Sequence, residues 1–190
     1  MNSNLIQHIR KHIDLSDSET LTLYKYLEQR TYKKKEFLLQ ENNVGRNLYF
    51  VEKGCLRMYF INEKTVEQIV QFALDGWWIS DMKSFINNTP SDYYIQTIED
   101  SKITSINNEK LEQLLNELPN LERYFRIIMQ KELAAAQFKS KLMYGMSKED
   151  FYNHFVTSFP EFVQRVPQYM IASYLGLTPE YVSELRKKTV

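Results

Sequence analysis

Apolar and polar positions change rhythm twice along this chain, and each change predicts a change of structure. Through residues 3 to 30 the apolar positions recur with a helical period, with Ser16 and Glu19 set as a capping box ahead of Leu21, Leu23, Tyr24 and Leu27. From about Glu36 to Ile106 the pattern shortens to strands, at 37–39, 48–51, 56–61, 66–72, 93–98 and 102–106. Turn formers at 42–45, 52–54, 62–64 and 87–90 separate them, the layout of a small antiparallel barrel or sandwich. After Asn107 the helical period returns: Leu111, Leu114, Leu115 and Leu118 mark a short helix that Pro119 interrupts.

A long helix is predicted from about Asn120 to Tyr144, about 37 Å at the usual rise per residue. Its apolar stripe runs through Leu121, Phe125, Ile128, Ala135 and Leu142, broken by Glu132 and Lys139. Such a stripe either pairs with its twin in a homodimer or packs on the barrel of its own chain. Ser147 to Asp150 then cap a helix through Phe151, Phe155 and Val156, which Phe159 and Pro160 end.

The final segment carries the sharpest pattern. Pro167 opens a helix with Ile171, Ala172 and Leu175 on its apolar side, Gly176 makes the turn, and Thr178 caps a second helix with Pro179 at its first position. Val182 and Leu185 face the first stripe. The pattern fits a helix-turn-helix that lays its second helix in a DNA major groove, and also any small αα-hairpin. Small Ala172 at the close approach, Gly176 at the turn and the cations Arg186, Lys187 and Lys188 favour the first.

Composition adds bounds. The chain has 190 residues, 43% hydrophobic and 14% aromatic, enough for one good core or two small ones. Its 24 basic and 24 acidic residues cancel, so any nucleic-acid contact must be local. A single cysteine, Cys55, excludes an internal disulfide framework and fits a reduced cytoplasm. No signal-peptide plan and no membrane-length apolar run is present. His8, His12 and His154 are scattered, with His8 and His12 expected on a solvated helix face, so no metal site is predicted. No phosphate loop, Rossmann loop or nucleophile elbow occurs among five glycines, so no enzyme is expected.

Together the segments 48–57, 96–101 and 167–186 resemble the Crp/Fnr family of transcriptional regulators over the whole chain. The resemblance implies an α+β fold: an N-terminal antiparallel β-roll of the cyclic-nucleotide-binding type over residues 1–119, a long dimerisation helix at 120–145, and a helix-turn-helix at 146–190 without a full wing. It implies double-stranded DNA, a second copy of the chain and RNA polymerase as partners. The DNA-contacting candidates are Gln168, Tyr169, Thr178, Glu180, Tyr181, Ser183, Glu184, Arg186 and Lys187.

Two departures from the family pattern stand out. Members that bind cyclic AMP cradle it with a Gly-Glu-Leu turn and a later arginine; here the matching region runs from Trp78 to Phe85, with Ser80 and Asp81 in it, and Ser91 replaces the arginine with Asp92 beside it. A phosphate would lose its charge-assisted partner and gain a repulsive neighbour, so cyclic AMP is not the expected ligand. Lys83 is the cation nearest the site, while Trp77, Trp78, Ser84, Phe85, Tyr93 and Tyr94 either line a pocket for an unknown small effector or fill the space. In the reading helix, Glu180 is retained, but Pro179 and Glu184 replace arginines, so base preference must differ. The alternative is a β-roll sensor or scaffold whose helical tail contacts protein instead of DNA.

Overall fold

Alternation of apolar residues in the middle of the chain resolves into two four-stranded antiparallel sheets. In the computed structural model, which describes residues 3–188, β1 (Glu28–Tyr32), β8 (Ser101–Asn107), β3 (Asn47–Lys53) and β6 (Trp78–Ile79) form one sheet in that order. The other runs β2 (Phe37–Leu39), β7 (Tyr94–Thr97), β4 (Leu56–Ile61) and β5 (Glu67–Ala73). The chain passes repeatedly between the sheets, as in a jelly roll.

Side-chain alternation along β3 sorts two cores. Leu48 and Phe50 point to a cluster with Leu5, Ile6 and Ile9 of α1 (Asn4–Arg10), Leu23 of α2 (Asp17–Tyr26), Leu111 and Leu114 of α4 (Asn108–Glu117) and Leu121, Tyr124 and Ile128 of α5 (Asn120–Gly145). Tyr49 and Val51, on the opposite face, are buried inside the roll. Burial pushes the Tyr49 phenol up to about 12.

Polar contacts tie the helices to the sheet. Glu52, buried in β3, accepts from Ser3 Oγ at 2.6 Å, Asn4 N at 2.8 Å and Thr104 Oγ1 at 2.8 Å, anchoring the start of α1. The capping box of Ser16 and Glu19 opens α2 as expected. Gly54, at φ 125°, lies where a Cβ would sit 2.2 Å from Ser101 Oγ and 2.8 Å from Ser101 Cα, so this turn admits no side chain.

Several expectations are corrected. Residues 28–30 are not helical: α2 stops at Tyr26, and Glu28–Tyr32 forms an edge strand paired along β8, with Glu28 opposite Ser105. Four of its five residues are exposed, so no apolar alternation announces it. Short β6, α3 (Met82–Asn87) and α7 (Pro160–Arg165) were also not anticipated. His8 and His12 do not share a solvated helix face, because α1 ends at Arg10 and both rings pack on Tyr124, at centroid distances of 5.7 and 6.1 Å.

The fold divides into two compact units. The first comprises the residues up to Phe60 with Gln71–Met129; the second comprises Ile61–Val70 and the residues from Gln130 onward, so α5 contributes to both. In the second unit, α6 (Lys148–Ser158) starts on Ser147, whose side chain accepts from Asp150 N, and Phe155 gathers Phe159, Phe162 and Tyr174 around it. Helices α8 (Gln168–Leu175) and α9 (Pro179–Lys188) complete it among the described residues.

Candidate nucleic-acid interface

The turn between α8 and α9 follows from its sequence. Gly176 adopts φ 69° and Leu177 N donates to Ala172 O at 2.9 Å, a Schellman-type close that satisfies the end of α8. Thr178 Oγ1 then accepts from Tyr181 N at 3.2 Å, capping α9 behind Pro179. Ile171, Ala172 and Leu175 are buried, as are Val182 and Leu185, so the two apolar stripes are used within this unit.

That burial fixes which side of α9 stays outside. Thr178, Glu180, Ser183, Glu184, Arg186 and Lys187 are exposed, and Tyr181 is half-buried. Tyr169 of α8 is also exposed. Gln168 is placed differently from the expected backbone contact: its Nε2 is buried and without a hydrogen-bond partner. Among the residues whose side chains are described, the exposed side of α9 therefore carries two acidic and two basic residues, with hydroxyl groups near its start.

A contact that sequence reasoning missed holds α8 from its other side. Ser173 Oγ donates to Glu67 O at 2.8 Å and accepts from Ile69 N at 3.0 Å, while Gln68 Nε2 donates to Ser173 O. Lys139 of α5 lies 3.5 Å from the Tyr174 ring centroid and donates to Val70 O at 3.3 Å. Desolvation lowers the Lys139 ammonium to about 8 and raises Glu132 on the same helix. The polar breaks in the stripe are thus, for Lys139, a contact with α8 and the strand edge.

The residues matching the cyclic-nucleotide cradle close on themselves. Asp81 is buried and caps α3, accepting from Lys83 N at 3.1 Å and Ser84 N at 3.2 Å, and Ser91 Oγ donates to its Oδ2 at 2.7 Å. Ser84 Oγ accepts from Gly45 N at 2.7 Å and donates to Thr89 O at 2.5 Å; Ser80 Oγ donates to Asn47 O at 2.9 Å. Lys83 pairs with Asp92 at 2.9 Å on the surface, which raises the Lys83 ammonium further.

The aromatic residues of this region do not form one pocket wall. Trp78 and Phe85 belong to the helix–sheet core, with Trp78 Nε1 donating to Tyr124 Oη at 2.8 Å, and Trp77 is 44% exposed. Tyr93 packs edge-on to Phe60, and Tyr94 stacks on Tyr59 with ring centroids 5.0 Å apart. Arg57 covers the other ring partner, 4.2 Å from the Tyr59 centroid, and donates to Gln96 Oε1 at 2.7 and 3.1 Å.

The dimer stripe is also redistributed. Leu121 and Ile128 are buried in the roll-side core with Phe125 packed against it, so these three are spent within the first unit. Leu142 is buried and Ala135 exposed. Leu133, Ala134, Phe138, Lys141 and Tyr144 are exposed on α5, with Leu133 at 61%, Phe138 at 50% and Tyr144 at 91%, and the Phe138 ring meets His154 edge-on with centroids 6.1 Å apart. Of the predicted stripe, Leu121, Phe125 and Ile128 thus pack on the chain's own roll, and Ala135 does not.

Comparison with known proteins agrees with this architecture. Residues 29–117 match the cyclic nucleotide-binding domain family. The regulatory protein HlyX of Actinobacillus pleuropneumoniae is 27% identical over 185 residues, covering 90% of this chain and 75% of that protein. The fumarate and nitrate reduction regulatory protein of Vibrio cholerae is 28% identical, covering 90% and 72%. The chain thus spans about three quarters of the length of these relatives. Among solved structures, the c-di-GMP-responsive global regulator CLP of Xanthomonas campestris superposes with a TM-score of 0.74 at 16% identity, covering 92% of this chain and 91% of that one. With its β-roll, long helix and helix-turn-helix in that order, this chain is similar in sequence and fold to transcriptional regulators of the Crp/Fnr type.

Proposed function

We propose that the chain is a homodimeric, sequence-specific DNA-binding regulator that does not respond to cyclic AMP. One observation carries the DNA reading: α9 buries Val182 and Leu185 and leaves Thr178, Glu180, Ser183, Glu184, Arg186 and Lys187 free to meet a duplex. Thr178 and Ser183 supply hydroxyl groups for bases or phosphates, Glu180 and Glu184 acceptors for cytosine N4, and Arg186 and Lys187 cations for the backbone.

The ligand part of the proposal rests on Asp81. Where a bound phosphate would need donors, its carboxylate already accepts from Ser91 Oγ and two amides of α3. A phosphate entering there meets a carboxyl group whose donors are already taken, and Ser91 stands where the resemblance places an arginine. The roll then serves as a platform, or senses a molecule through another surface.

Dimerisation would use the exposed line of α5 through Ala134, Phe138 and Lys141. Two copies related by a two-fold would present their α9 helices to major grooves about 34 Å apart on a pseudo-palindromic operator. The second reading, a β-roll module that contacts protein through its tail, is favoured by Glu180 and Glu184 standing exposed on α9.

A gel shift on DNA upstream of the protein's own coding sequence separates them. The expected result is a discrete complex that weakens steeply with salt and is unchanged by cyclic AMP. Arg186→Ala with Lys187→Ala should weaken it on every sequence and reduce the salt slope by about 2 per protomer. Absence of a complex at low salt would support the protein-contact reading.

A further inference from the structure

A cleft of about 400 Å³ opens in the first unit, where the end of α1 meets the start of α5. Arg10, Lys11 and Asp14 line it from the end of α1 and the link to α2, Asn120 and Arg123 from the first turn of α5. Three cations thus share the lining with one carboxylate. Arg10 is held in place, its Nε donating to Leu15 O at 3.2 Å and its Nη2 to Asp17 Oδ1 at 2.9 Å, which leaves Nη1 without an acceptor among the described residues. Lys11 and Arg123 are exposed and make no ion pair or side-chain hydrogen bond among the described residues. The closing carbonyls of α1 are engaged, since Ile9 O accepts from His12 N at 2.9 Å and from Ile13 N at 3.1 Å. The long α5 adds the positive end of its dipole.

Lining and size narrow the occupant. Ile13 is the one aliphatic side chain in the lining, and the His12 ring is already packed against Tyr124 and His8, so no wall selects an acyl chain or a base. The part recognised must be an anion. At about 30 Å³ for a water-sized group, the cleft has room for roughly a dozen non-hydrogen atoms. A single phosphate would leave most of that space to water, whereas a diphosphate carries oxygens and charge enough for two guanidinium groups and a lysine. We infer that the cleft binds a diphosphate group, free or as the tail of a nucleotide whose base stays outside, with its oxygens accepting from Arg10 Nη1, Lys11 and Arg123. No lining residue belongs to the region matching the cyclic-nucleotide cradle or to α9, so the site stands apart from both and from the DNA reading above.

Calorimetry of the full chain with sodium diphosphate, in magnesium-free buffer at about 0.15 M salt and without DNA, tests the site. Saturable binding is expected, about fivefold weaker in Lys11→Gln and in Arg123→Gln, which each remove one exposed cation. Asp14→Asn removes the opposing carboxylate and should tighten binding about threefold, a gain that a damaged fold does not imitate. Arg186→Ala with Lys187→Ala should leave the affinity unchanged, which separates this cleft from the cations of α9. Inorganic phosphate should bind at least about tenfold more weakly than diphosphate. ADP sorts the two sources: affinity at or above that of diphosphate, lost in step with it in Arg123→Gln, assigns the cleft to a nucleotide tail, and any other result assigns it to free diphosphate. No saturable binding of diphosphate, equal binding of inorganic phosphate, or diphosphate binding unmoved by Lys11→Gln and Arg123→Gln would each overturn the inference.

Discussion

Trp78, Tyr124 and His8 show how a single residue's role is set by what surrounds it. Trp78 Nε1 donates to Tyr124 Oη, which is bonded in turn to His8 Nδ1, both at 2.8 Å. Burial pushes the Tyr124 phenol above its ordinary range, so it stays protonated and joins the indole to the imidazole. Tyr124→Phe should cost about 1–3 kcal/mol in chemical denaturation, since it strands the indole N–H, and adding Trp78→Phe should cost less than the two singles summed. Lys139 gives the clearest pH signature. Its folded pKa of about 8 lies below the ordinary 10.5, so between these values the unfolded chain holds more protons than the native one. Stability contributed by this site therefore rises from pH 8 toward 10, above which Tyr174, whose phenol burial raises, begins to reverse it. Denaturation followed at 222 nm should show that rise, of order 1 kcal/mol, and Lys139→Met should flatten it.

At the scale of elements, capping and turn chemistry account for most boundaries. Ser16, Ser147 and Thr178 each start a helix where their side chains meet a backbone N–H, and all three were readable because N-caps act locally. Gly176 was readable for the same reason. A Cβ there would touch nothing within 4 Å, so Gly176→Ala should cost only the left-handed backbone penalty, about 1 kcal/mol, and Gly176→Asn less, as read from denaturation midpoints. Strand β1 and short β6 were not readable, because their partners β8 and β3 lie far away in sequence and supply the ladder. The Ser173 contact with Glu67 and Ile69 belongs to the same class: a serine on a helix announces nothing about a strand 104 residues distant.

For the whole molecule, the decisive question is which side of α5 meets a second copy. The exposed line through Phe138 is the side left over once Leu121, Phe125 and Ile128 have packed on the roll. Sedimentation should show a dimer for the parent chain. Phe138→Glu should shift it to monomer and weaken operator binding by the loss of the second half-site.

By itself the sequence determined the periods, the caps and the turn glycines, because each is written in neighbouring residues within a few positions of one another. That was enough for the β-roll, the long helix and the helix-turn-helix. Only the tertiary structure decided that Asp81 takes the Ser91 hydroxyl, that Trp78 belongs to the core, that Lys139 lies on Tyr174, and that the Gln168 amide faces inward. These depend on the burial and charge of groups from distant segments, and pairing between distant segments is settled by packing, which no local pattern encodes.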